Sequence, residues 1–177
     1  MMRLSVRHFR AMLIALVAGL AATAGAQSLA PDIVVTKIIN APPADVWKAW
    51  TTTDGIESFF AVKAAKVEPV PGGAFELWFG VNNPEGLRGS EGCLVHSVKP
   101  MEQFVFEWNA PPEIPAIRKL RTLVYLDFKS LPDNRTELTL RNFGHGAGED
   151  WARNTAHFEN AWPAAVGSLE QRFAAKG

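Results

Sequence analysis

The residues able to do chemistry are few and scattered. His8 stands in the first ten residues, and His96, His145 and His157 are spread over the rest. No two are spaced H-x-x-x-H, and no H-E-x-x-H occurs. Cys93 is the single cysteine, so the set is poor for zinc, which takes four closely placed Cys, His or acid ligands. No metal and no cofactor is expected. There is no G-x-S-x-G nucleophile elbow, and Gly72-Gly73 opens no phosphate loop, because no G-x-x-x-x-G-K-[ST] follows. The chain therefore reads as a binding protein more readily than as an enzyme, and no catalytic residue is assigned.

The carboxylates leave two readings open. Glu76 lies between Phe75 and Leu77, and Glu107 between Phe106 and Trp108. On half-buried strands these acids face water. If the sheet curls the other way, Glu76, Trp78 and Glu107 line a cavity, where burial would raise a carboxyl pKa and make an acid or base of it. Arg118 and Arg121 follow a proline-rich loop and could pair with a ligand carboxylate at a cavity mouth or form surface ion pairs. Tyr125, the one tyrosine, could orient a ligand in an apolar pocket. Six tryptophans and eleven phenylalanines make the interior strongly aromatic. Trp108, Phe158 and Trp162 are expected to meet between a sheet and a helix, mainly as core.

The elements that must position these groups follow from hydrophobic period. Ile33 to Ile39 is β-branched and reads as a strand. Asn40-Ala41-Pro42-Pro43 stops it, and two short helices follow: Ala44 to Trp50, with Pro43 near its first turn, and a second from a Thr53-Asp54 cap to about Phe59. Strands are expected at 62–67, 74–81, 92–98, 103–108, 118–128 and 136–142, separated by Gly, Pro and Asn turns. Trp151, Thr155, Phe158, Trp162, Ala165, Leu169 and Phe173 then recur at three and four, one stripe of a long amphipathic helix. Pro163 interrupts it and predicts a kink near Glu159. The fold class is α+β: a curved antiparallel sheet of six to seven strands around a long C-terminal helix, with two short helices after the first strand.

Arg3, Arg7 and Arg10 precede an uncharged run from Ala11 to Gly25 that closes on Ala24-Gly25-Ala26. Basic, apolar, then small is the order of a secretory signal peptide, and about fifteen residues fall short of the roughly 20 a spanning helix needs. Residues 1–26 are read as this leader and 27–177 as one domain, with no stable membrane insertion after cleavage. Lysines and arginines equal aspartates and glutamates at 18 each; the leader carries three arginines and no acid, leaving 15 against 18. A mild acidic excess does not suit nucleic acid. The short Ala-rich leader points to a periplasmic or secreted address. Cys93, beside Leu94 and Val95, reads as a small buried hydrophobe.

Several pieces, in order over residues 33–173, carry a family likeness: Ala41-Pro42-Pro43-Ala44-Asp45-Val46-Trp47 with Trp50; Pro71-Gly72-Gly73 before Phe75; Trp108 followed by Pro115 and Arg118; Arg135-Thr136-Glu137-Leu138; and Gly148-Glu149-Asp150-Trp151 before Phe158, Trp162 and Leu169. They resemble the START/Bet v 1-like (SRPBCC) superfamily and, within it, the AHSA1-like proteins similar to the activator of Hsp90 ATPase. The resemblance implies a helix-grip fold whose sheet and last helix enclose a cavity, and a small hydrophobic or amphipathic ligand. The cavity residues expected are Glu76, Trp78, Glu107, Trp108, Arg118, Tyr125, Phe158 and Trp162. Other members imply two alternatives, a cyclase- or hydrolase-like enzyme and a chaperone-like module that binds proteins through an apolar patch. An exported chain does not meet cytosolic Hsp90, so that partner is not expected.

Overall fold

The computed structural model describes residues 32–174. The expected leader over 1–26 lies outside them. The first strand, β1, is Ile33–Ile39; α1 is Pro43–Thr51 and α2 Thr53–Glu57. Six strands follow: β2 Ala64–Val67, β3 Phe75–Trp78, β4 Val95–Lys99, β5 Gln103–Trp108, β6 Thr122–Leu131 and β7 Arg135–Phe143. The long helix α3 runs Glu149–Ala174.

The strands form two antiparallel sheets where one was expected. Five pair in the order β1-β7-β6-β5-β4, and β2-β3 make a separate ribbon. The seam between β3 and β4 has no continuous ladder: the isolated bridges Ala74–Leu94 and Trp78–Gly89 and a bond from Gly72 N–H to Val95 O at 2.8 Å cross it. Gly92 explains it: its φ of 70° is left-handed backbone, which glycine adopts without strain, and it ends the extended run that the sequence suggests from 92 onward. The strand expected from Arg118 is also shorter. Pro115–Ile117 forms a 3-10 turn with Arg118 at its end (φ −59°, ψ −29°), so β6 starts only at Thr122. The α2 cap lies one residue earlier than expected, at Thr52, whose Oγ1 accepts the Gly55 N–H at 3.0 Å. Between β6 and β7, Asp133 (φ 61°) and Asn134 (φ 54°) make the tight reversal, a conformation these side chains tolerate better than most.

One face of the five-stranded sheet is the core wall. Phe104, Phe106 and Trp108 from β5, Val124, Leu126 and Phe128 from β6, and Leu138 and Leu140 from β7 are buried there. Against them lie Val46, Ala49 and Trp50 of α1 and Phe158, Trp162, Val166, Leu169 and Phe173 of α3. Lys37 of β1 ties α3 down through Glu170, Nζ to Oε2 2.9 Å. Helix α3 runs unbroken through Pro163. Both Pro163 and Glu159, whose carbonyl loses its helical donor, are exposed, so water can satisfy that oxygen. An interior proline costs about 3 kcal/mol. Burying the five large side chains above at roughly 1.5–3 kcal/mol each outweighs it. No helix among the described residues is long and apolar enough to cross a membrane.

Candidate functional site

The sheet and α3 do not close completely on each other. Where α3 faces the end of β5, it presents Ala161, Ala164, Ala165 and Ser168, side chains too short to fill the gap. A cleft of about 570 Å³ results, within the range of small-molecule sites and above their usual lower bound of about 300 Å³. Its other walls are the segment after α2 (Phe59, Phe60, Ala61), the loop between β3 and β4 (Phe79 to Gly89) and the loop after β5 (Asn109 to Glu113).

Its floor is aromatic. Trp108 and Trp162 lie 5.0 Å apart between ring centroids, Phe158 stacks on Trp162 at 5.5 Å, and Phe60 stands 6.4 Å from Trp108 and 6.0 Å from Phe79. Such rings offer flat apolar area with little side-chain entropy to lose. Trp162 is fixed from behind: its Nε1–H donates to Asn142 Oδ1 at 3.1 Å. An indole nitrogen only donates, so the Asn142 oxygen must face it. His145 Nε2, 3.0 Å from the same oxygen, must then donate too. His145 Nδ1 lies 2.6 Å from Thr155 Oγ1, a hydroxyl whose one proton has both this ring nitrogen and the Trp151 carbonyl, at 3.0 Å, within reach. His145 is thus half-buried under the cleft rather than a free loop residue, and burial lowers its pKa, Asp32 and Glu159 pulling the other way.

The polar wall is built around Arg118, which is 7% exposed. Its Nε donates to Gly86 O at 3.0 Å, Nη2 to Gly86 O at 2.6 Å and Gly89 O at 2.9 Å, and Nη1 to Ala110 O. Asn109 reinforces the same junction, Nδ2 donating to Gly89 O at 3.1 Å. Arg88 stands nearer solvent, Nε donating to Asn83 O at 3.1 Å. Glu113 and His157 are exposed parts of the wall.

Of the expected cavity residues, Trp108, Arg118, Phe158 and Trp162 come together here. Glu76, Trp78, Glu107 and Tyr125 do not, which corrects the inward placement of that group. Phe75 and Leu77, Phe106 and Trp108, and Val124 and Leu126 take the core face, and the two-residue period of a strand turns their neighbours outward. Glu76 Oε1 accepts the Gly92 N–H at 2.6 Å, and Glu76 and Trp78 line a separate depression with Glu85, Arg88 and Glu91. Glu107 accepts from Leu94 N at 3.2 Å and pairs with His96 Nε2 at 2.9 Å. Tyr125 packs edge-on against Phe143, 5.1 Å between centroids. Arg121 donates to Arg118 O and Glu91 O. Sequence reasoning missed Phe59, Phe60, Asn109 and His157. The Phe59-Phe60 doublet beyond a short helix was a readable signal; Asn109 gave none. Cys93 is fully buried and burial pushes its thiol pKa up to about 12. Among the described residues no cluster of three His, Cys, Asp or Glu could hold a metal ion.

A family model described as "Activator of Hsp90 ATPase homolog 1-like protein" matches residues 40–174. No curated protein matches the chain. Solved structures share the fold. A protein from Mesorhizobium loti is 23% identical, with TM-score 0.60, covering 82% of this chain and 98% of its own. An HSP90 activator from Plasmodium falciparum is 19% identical, with TM-score 0.58, covering 78% and 93%. CalU16 from Micromonospora echinospora is 18% identical, with TM-score 0.56, covering 80% and 74%. At these identities the likeness is one of architecture.

Proposed function

The chain belongs to the family of Activator of Hsp90 ATPase homolog 1-like proteins, and we propose that it is an exported binding protein holding a small hydrophobic or amphipathic molecule between its sheet and α3. The observation that carries this reading is the 570 Å³ cleft with its aromatic floor. A helix face of Ala161, Ala164, Ala165 and Ser168 leaves that space open, whereas bulkier residues there would have given an ordinary core. The order of basic, apolar and small residues over 1–26 supports export. It also argues against Hsp90 as the partner, although the Plasmodium falciparum neighbour is an HSP90 activator.

The test is a titration of the leader-less chain with 1-N-phenylnaphthylamine, a dye that brightens in apolar sites, beside Ala161→Trp, which places an indole in the cleft. One saturable site is expected in the parent. A loss of affinity of at least about tenfold is expected in the variant, the equivalent of 1.4 kcal/mol, with unchanged circular dichroism. Equal dye affinity in a folded Ala161→Trp protein would overturn the reading.

A further inference from the structure

We propose that the molecule held in this cleft is an amphipathic acid, its apolar body on Trp108, Phe158 and Trp162 and a single oxyanion head, such as a carboxylate, against Arg118. The inference rests on the cleft-binding reading and adds the chemistry of the head group.

Arg118 is a buried cation in the cleft wall with no counter-ion. Among the described residues no carboxylate lies within ion-pair distance of it, although eight pairs of Lys or Arg with a carboxylate form elsewhere. Four of its hydrogen bonds go to backbone carbonyls. A guanidinium has five N–H groups, so one N–H on Nη1 has no acceptor among the described residues. The carbonyls satisfy hydrogen bonds but carry no net charge. Taking a cation out of water is costly unless an opposite charge replaces the lost hydration. The rest of the wall does not supply one: Glu113, its only carboxylate, is exposed, and Arg88 is already paired with Glu91, Nη1 to Oε1 3.7 Å. Burial also lowers the Arg118 pKa, Arg121 adding to it, while Glu91 and Glu113 offset this from a distance. Fixed by four bonds, the guanidinium is oriented before any ligand arrives, so little freedom is lost when an oxyanion binds.

The test displaces bound 1-N-phenylnaphthylamine from the leader-less chain with decanoate and with decanol, which share one apolar tail, at pH 7.5 in low salt and in 1 M NaCl. Arg118→Gln is measured alongside, with circular dichroism as a check of folding. Decanoate is expected to displace the dye at no more than a tenth of the decanol concentration. The advantage should persist in 1 M salt, where attraction to the half-buried Arg88 is screened beyond roughly 3 Å, and should vanish in Arg118→Gln. Equal potency of acid and alcohol would overturn the head-group inference while leaving cleft binding intact. Displacement by neither would sink the cleft reading and this inference with it. An advantage lost in high salt, or undiminished in a folded Arg118→Gln, would overturn the assignment to Arg118. Should that variant fail to fold, the salt series on the parent decides between Arg118 and Arg88.

Discussion

The most informative single residue is His145. Its ring joins the amide that holds Trp162 to a hydroxyl on α3, so the floor of the cleft and the start of the long helix share one imidazole. In the folded chain burial lowers its pKa below the ordinary 6.5. As pH falls, the unfolded chain takes up that proton first. The contribution of the neutral ring is therefore full above about 6.5 and is lost as pH falls from there through the lowered folded value. The urea midpoint of the parent should drop between pH 7.5 and pH 5.5. His145→Gln, whose amide can still donate to Asn142, should show a shallower drop over that window; parallel curves would mean that another group sets the dependence. The sequence showed a histidine between two glycines, which reads as a surface loop. Its partners Asn142 and Thr155 stand on different elements, and only the folded chain places them around the ring.

At the scale of elements, the periods in the sequence were reliable and the ends were not. Alternation of Phe104, Phe106 and Trp108, and of Val124, Leu126 and Phe128, matches β5 and β6, and these residues take the buried face that the sequence left open. The three-four spacing found α3, though Asn154 and Val166 are buried on it while Trp151 and Thr155 are only partly so. A buried asparagine is invisible to a pattern of apolar residues. Arg118 and Gly92 were read into strands because β-branched residues follow them. The Arg118 backbone is set instead by the turn at Pro115–Ile117, and that of Gly92 by its left-handed φ and the bond from its N–H to the Glu76 carboxylate. Pro163 is the one residue that opposes its own element. Replacing it with alanine restores a donor for Glu159 and removes a ring clash, so Pro163→Ala should raise stability, by up to about 3 kcal/mol. The check is thermal unfolding. A lower melting temperature would show that α3 needs the proline to lie correctly on the sheet.

For the whole molecule, half of the expected cavity was legible. Trp108, Phe158 and Trp162 were found because they belong to the core pattern as well as to the cleft. Trp78 and Tyr125 were drawn inward by their chemistry alone, although Phe75 and Leu77, Val124 and Leu126 already occupied the inner face. The cleft itself comes from what α3 lacks, and small residues on a helix carry no pattern of their own. If it binds an apolar acid, the folded state alone gains. Decanoate at 100 times its dissociation constant should then add about 2.7 kcal/mol of stability. In a chain of this size that is a rise of roughly 5–11 °C in Tm, measurable by calorimetry. An unchanged Tm at saturating decanoate would exclude specific binding to the native state.

Gly86, Gly89 and Ala110 meet at Arg118 without belonging to the sheet core. The polar wall of the cleft and the sheet core are thus written in different parts of the chain, while Trp108, Phe158 and Trp162 serve both core and floor. Substitutions in the loops at 79–89 and 109–118 can reshape the cleft while the strands and α3 keep their register. That division suits an architecture that solved structures 18–23% identical to this chain share.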